Sequence, residues 1–136
     1  MNREVKYRGK DLENGNCWRY GSLVVYPDGN RVIVEFDKDE NELSYDVYPE
    51  TVGQFAGKYD KNGKEIYEGD IVKTKEYGKF LGDKNFSGYD HFEVHFKNGG
   101  FRLENEERIF NLTNNSHLEV VGNVHDNPSL LKGGEE

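Results

Sequence analysis

Bulky apolar and polar residues alternate along most of this chain, and glycine-bearing turns break the alternation at short intervals. A period of two sends successive side chains to opposite faces of an extended strand, whereas a helix repeats its apolar positions every three to four residues. Residues 3 to 9 put Val5 and Tyr7 on one face and Lys6, Arg8 and Lys10 on the other, the pattern of a half-buried strand. A polar turn ends at Asn14-Gly15. Cys17 to Tyr26 then reads as a long strand with Gly21 near its middle, a bulge or a close backbone approach. Pro27-Asp28-Gly29-Asn30 predicts a turn in which Pro presets φ and Asp-Gly takes the left-handed positions. Arg31 to Phe36 returns with Val32, Val34 and Phe36 on one side. The acidic segment DKDENE and a strand from Leu43 to Tyr48 follow, and Pro49 places a boundary near residue 50.

The second half opens with two strand-like runs around Asn62-Gly63, a hairpin signal because the central residues of the tightest turns need φ > 0. Gly69-Asp70-Ile71-Val72 begins a strand to Tyr77 in the way many small SH3-like barrels enter one. A glycine- and aromatic-rich loop covers about 78 to 89. HFEVHF (91 to 96) turns at Asn98-Gly99-Gly100 into FRLE, and ENEERIF predicts one or two helical turns with Glu106 and Glu107 near their start. LEVVGNV (118 to 124) is the last strand, and a short capped turn runs from Asn127-Pro128 to Leu131. The expected fold is mainly β with little helix. An N-terminal antiparallel β subdomain spans 1–50, a second β domain spans 51–131, and 132–136 form a flexible tail.

Composition sharpens this picture in three ways. Only 34% of the 136 residues are hydrophobic, so nine Tyr, eight Phe and one Trp must supply much of the core. The formal net charge of −8 argues against broad attraction to nucleic acid or anionic membrane, while leaving room for a local basic face. The single cysteine, Cys17, has no intramolecular partner and reads as a small core residue. MNREVKYRGK lacks the apolar core of a secretion signal, and no window approaches the ~18 apolar residues of a membrane span, so a cytoplasmic protein is expected.

Candidate chemistry is sparse. His91 and His95 have the i, i+4 spacing of a helical metal pair, but their alternating neighbours predict a strand, on which they lie about 13 Å apart, too far for one zinc ion. Asp37-x-Asp39-x-Asn41 opens like a calcium loop, yet Glu42 stands where glycine is needed and Tyr48 where the closing glutamate belongs. Asp60-x-Asn62-Gly63 lacks the remaining ligands too, and both segments read as solvated turns. Asp70, near Glu65 and Glu68, is better read as a turn-fixing carboxylate than as an acid–base pair member. Ser22, His125 and Asp126 supply triad residue types without a nucleophile elbow. No catalytic residue, metal or cofactor is expected, and no enzyme activity. The best functional candidate is a basic stripe of Arg3, Lys6, Arg8 and Lys10, with Lys73 and Lys75 projecting from another strand. With Tyr7, Trp18 or Tyr20 beside it, such a surface could hold phosphates and stack bases. The competing reading is a solvated strand face whose lysines discourage edge pairing.

REVKYRGK at the start, the aromatic-Gly-Ser-Leu-Val run at 20 to 24, ETVGQFAGKYDKNGKEIYEGDIV in the middle and EVVGNVHDNPSLL at the end together resemble the YopX-like family of phage and prophage proteins, from Arg3 to Leu131. The resemblance implies a mostly β protein with an SH3-like barrel in its second half, encoded by a phage or prophage as an accessory protein. It brings no catalytic residues. Departures lie in 78–90 and in the acidic 37–42 segment. The expected role is a non-enzymatic interaction or self-assembly module: a homo-oligomer, or a partner of a phage or host protein. The alternative is a nucleic-acid-binding regulator using the barrel and the basic N-terminal strand.

Overall fold

The structure, a computed structural model, describes residues 5–74, 90–106, 109–112 and 117–131. The chain divides into two compact units, residues 1–57 and 58–136. The expectation of a mainly β chain holds: two antiparallel sheets, two short 3-10 turns at Pro49–Thr51 and Pro128–Leu131, and no longer helix among the described residues.

The first unit contains β1 (Tyr7–Lys10), β2 (Trp18–Val25), β3 (Arg31–Phe36), β4 (Glu42–Val47) and most of β5 (Gly53–Tyr59), in the order β4-β3-β2-β1-β5. β2 pairs with β1 through Trp18–Gly21 and with β3 through Ser22–Val25, so its partner changes at Gly21. The glycine marks a close backbone approach, because a Cβ there would run into the Val34 carbonyl oxygen. The change of partner curls the sheet until the end of β4 meets the residues after β1. Asp11 bridges to Val47, Leu12 N–H donates to the Asp46 carbonyl at 2.8 Å, and Tyr48 N–H donates to the Lys10 carbonyl at 2.9 Å. Ile33, Val47 and Phe55 are buried in this unit, and Gly9 lies so near Val47 that a Cβ would come within 2.8 Å of its side chain. Val32, Val34 and Phe36 share one face of β3 as expected, and of these Val32 is buried. Ile33, on the other face, is fully buried, while Phe36 is 62% exposed.

In the second unit, β6 (Glu65–Tyr67) follows the hairpin turn. β7 (Asp70–Thr74), β8 (Asp90–Lys97), β9 (Gly100–Glu104), β10 (Ile109–Asn111) and β11 (Glu119–Asn123) form a sheet of order β10-β9-β8-β7-β11. Val72, Phe92, Val94 and Leu103 are its fully buried core, with Phe110 packed edge-on against Phe92 at 5.8 Å. Asn98 and Gly99 both adopt positive φ, the tight-turn geometry their sequence implies. Two expectations need correcting. Ile109–Asn111 is a strand paired with Leu103 and its neighbours, because Phe110 is needed on the core face, so no helix runs to residue 110; Glu107 lies outside the described residues. No pairing joins β10 to β11 among the described residues, so this sheet is not closed into a barrel.

Three hairpin loops share one design. At 26–30, 37–41 and 60–64 the first N–H donates to the fifth residue's carbonyl, and the fourth residue's N–H donates back to the first carbonyl. The fourth position has left-handed φ in each: Gly29, Glu40 and Gly63. These are loops of a turn followed by one left-handed residue, not two-residue turns, so Asp28 and Asn62 do not take the positive φ expected of them. In two of the loops the first residue is aspartate. The Asp37 Oδ1 accepts N–H bonds from Asp39 and Asn41, each at 2.9 Å. The Asp60 Oδ1 accepts them from Asn62 (2.8 Å) and Lys64 (2.9 Å).

Asp60 does more. It is buried rather than solvated, and its Oδ2 accepts the N–H of Val120 at 3.0 Å, sixty residues away on β11. Lys61 N–H donates to the Leu118 carbonyl and the Lys61 ammonium lies 3.4 Å from Glu119. Farther along β11, Asn123 N–H donates to the Asn127 side chain at 3.2 Å, and Gly122 leaves room for that amide where a Cβ would collide with it. The outer edge of β11 is therefore capped by side chains, which opposes its pairing with another subunit. Burial pushes the Asp60 carboxyl up, but the Val120, Lys64 and Asn62 N–H groups outweigh that and hold it below its ordinary value.

Gly21→Ala forces the Val34 backbone to shift and should destabilise the protein by about 2–4 kcal/mol in urea titration, with Ser22→Ala near neutral. Asp60→Asn turns an N–H donor toward at least one backbone donor and should cost about 3 kcal/mol at pH 7. A carboxylate with a lowered folded pKa stabilises fully above its unfolded value of about 3.9 and loses that contribution as pH falls through the folded value. The stability of the two proteins, followed by denaturation at stepped pH, should therefore converge in acid.

Candidate functional site

The basic stripe sits inside a sheet. β1 has β2 on one side and β5 on the other, so its lysines do not guard an edge. Arg8 stands opposite Tyr20 and Lys10 opposite Trp18, while Phe55 N–H donates to the Lys6 carbonyl, which puts Phe55 opposite Lys6. Alternation along each strand then gathers Lys6, Arg8, Lys10, Trp18, Tyr20 and Phe55 on one face, with Tyr7 on the other. The cations lie over the rings: Lys6 Nζ 5.4 Å from the Phe55 centroid, Arg8 Cζ 4.6 Å and Lys10 Nζ 5.7 Å from the Trp18 ring. Such contacts contribute roughly 0.5–2 kcal/mol each, more where water is excluded. Arg8 is only 5% exposed, which corrects the reading of a solvated stripe; Lys6, Lys10 and Trp18 are half-buried and Tyr20 is exposed. Lys73 is half-buried on β7 in the second unit, opposite Glu119 and His91. Arg3 and Lys75 lie outside the described residues.

On the opposite face of β2, Arg19 stacks 3.9 Å from the Tyr45 ring centroid and its Nε donates to Asp11 at 2.9 Å. Asp11 also accepts the N–H groups of Glu13 and Asn14. The Glu13 N–H, then the Arg19 guanidinium, hold its carboxyl below the ordinary value. Asp37 is likewise held low, chiefly by the Asn41 N–H. These carboxylates already serve backbone donors, which is what the calcium-like spacing at 37–41 and 60–64 encodes.

The remaining sequence candidates are structural as well. Asp70 is buried and accepts Tyr67 N–H at 2.7 Å, fixing the turn before β7. Asn123 Oδ1 accepts the N–H groups of His125 and Asp126, and its Nδ2 donates to Asp126, so GNVHDNP is a side-chain-braced turn. Ser22 lies on β2 of the first unit. Cys17 is half-buried just before β2. His91 and His95 lie on β8, a strand as expected, and among the described residues no three His, Cys, Asp or Glu side chains are placed to hold a metal ion.

Two features escaped the sequence reading. Glu93 and Glu104 stand directly opposite on β8 and β9; the His95 ring nitrogen lies 3.3 Å from the first and 3.9 Å from the second, and Lys97 donates to Glu104 at 2.6 Å. Burial raises the Glu93 carboxyl, partly offset by His95, whereas the Lys97 bond lowers Glu104. Alternation places Glu93, His95 and Lys97 on one face, but only the hairpin register brings Glu104 to them. The second feature is apolar. Val24, Val25, Tyr26, Phe36 and Leu43, all on the β2–β3–β4 meander, remain exposed, with Phe36 at 62% and Val25 at 55%.

A crystal structure of protein EF1440 from Enterococcus faecalis superimposes with a TM-score of 0.58 at 18% identity, covering 96% of this chain and all of that one. A crystal structure of YopX from Bacillus subtilis superimposes with a TM-score of 0.57 at 24% identity, covering 93% and 98%. At these identities the likeness concerns the fold. No curated protein matches the sequence. The model of the YopX protein family matches residues 6–132, nearly the whole length, and the chain belongs to that family.

Proposed function

We propose that this chain is a non-enzymatic accessory protein of phage or prophage origin, working in the bacterial cytoplasm as a protein-interaction and self-assembly module. The observation that carries the reading is the exposed apolar set on the β2–β3–β4 meander. The register puts Val24 and Phe36 on one face of this meander and Val25 and Leu43 on the other, and their exposure on an otherwise acidic, highly polar protein supports a contact role. The polar clusters serve the fold in this reading: the aspartates brace turns, and Glu93, His95, Lys97 and Glu104 form a polar ladder across β8 and β9. The second unit is read as an SH3-like module. Its consecutive strands β7 to β10 form a meander and the last strand returns beside β7, an order that supports this reading.

The alternative, nucleic-acid binding, draws support from the interleaved cations and rings on the β1 face, where Tyr20, Lys6 and Lys10 keep some exposure. Burial of Arg8 weakens it.

Sedimentation of the purified protein should give a mass above the 15.7 kDa of one chain, and Phe36→Ser should weaken the association. A strict monomer that captures no phage or host protein would overturn the module reading. For the alternative, gel retardation in about 50 mM salt should appear and fade with log salt, and Lys6→Glu with Lys10→Glu should weaken it uniformly across sequences; no retardation removes it.

A further inference from the structure

β4 has an open outer edge. In an antiparallel ladder a residue sends both its backbone groups to one neighbouring strand, and the next residue sends both to the other side. The Asp46 carbonyl is taken by Leu12, on the side away from β3, so Ser44 and Glu42 also point away from β3. Among the described residues, no hydrogen bond reaches those outward N–H and C=O groups of Glu42 and Ser44. Both residues and Leu43 between them are exposed. The last strand of the second unit is treated in the opposite way, its outward groups being taken by Asp60, Lys61 and Asn127.

We propose that β4 pairs antiparallel with β4 of a second copy of this chain, about a two-fold axis through Leu43. The inference rests on the self-assembly reading above and names its contact. Outward residues must face outward residues for the new bonds to form, which leaves three registers. Glu42 against the partner's Glu42 opposes like charges directly. Ser44 against the partner's Ser44 brings Glu42 opposite the partner's Asp46. Glu42 against the partner's Ser44 avoids both clashes and sets Leu43 against the partner's Leu43, so charge selects it. The contact is isologous, as a two-fold interface must be. Exposed Phe36, opposite Glu42 on β3, flanks the new seam. Asp37, Asp39 and Glu40 in the adjoining loop place like charges at its rim, so added salt should strengthen the association, the reverse of its effect on nucleic-acid binding.

The test uses the full chain as wild type, as Leu43→Lys, as Leu43→Glu and as an equimolar mixture of the two variants, each followed by sedimentation at low and high salt. Leu43 is exposed, so both variants should keep the wild-type circular dichroism spectrum. Wild type should associate, more tightly in high salt. Each variant alone should have its dissociation constant raised at least about tenfold, and the mixture should restore association through the opposed Lys and Glu. Variants that associate like wild type, or a mixture that fails to restore what the single changes removed, overturn the β4 pairing while leaving self-assembly in place. A wild type that stays monomeric at every salt overturns both. Leu43→Cys on a Cys17→Ser background gives a second reading: mild oxidation should link two chains, and no linked species would contradict the register.

Discussion

Carboxylate oxygens turned inward onto backbone N–H groups are the interaction on which the rest of this structure depends. A chain of short strands must satisfy main-chain donors at every corner, and unpaired buried donors are expensive. Here Asp37 and Asp60 each fill the inside of a hairpin loop, Asp11 gathers two N–H groups and a guanidinium, Asp70 holds the turn before β7, and Asn123 and Asn127 brace the turn after β11. Asp60 reaches beyond its own loop to β11, joining the start of the second unit to its last strand. The acidity that looked like candidate metal or acid–base chemistry is thus largely used by the fold. A calcium loop and these loops share Asp-x-Asp/Asn spacing for one reason: both aim short acceptors at the loop interior, where one finds a cation and the other finds amides.

Much of the fold was legible because strand and turn signals are local. Alternation located β2, β3, β8 and β11, and Asn98-Gly99 both entered positive φ as the tight-turn rule requires. What stayed hidden depends on partners distant in sequence. Arg8 sits at a polar position by alternation, yet its neighbours across the sheet are Tyr20 and, diagonally, Trp18, so it is covered. That β1 lies between two strands follows from the return of β5, which no local pattern announces. ENEERIF carries helix-start charges, but the demand for Phe110 beside Phe92 outweighs that weak preference.

The two units manage their sheet edges differently. β11 has side-chain caps on its outward groups, while β4 leaves Glu42 and Ser44 open beside exposed apolar residues. The segments KYDKNGKEIYEGDIV and GNVHDNP, inside the stretch that the family model matches, contain Asp60, Asp70, Asn123 and Asn127, the side chains that do the bracing.

Amide hydrogen exchange followed by NMR at neutral pH tests the central claim most directly. If the Asp60 carboxylate bridges the 60–64 loop to β11, the Val120, Asn62 and Lys64 amides should exchange as slowly as the core amides of Val72 and Val94, and Val120 should lose that protection when Asp60 is replaced by alanine. A Val120 amide that exchanges at the rate of an exposed loop in the unmodified protein would contradict the account.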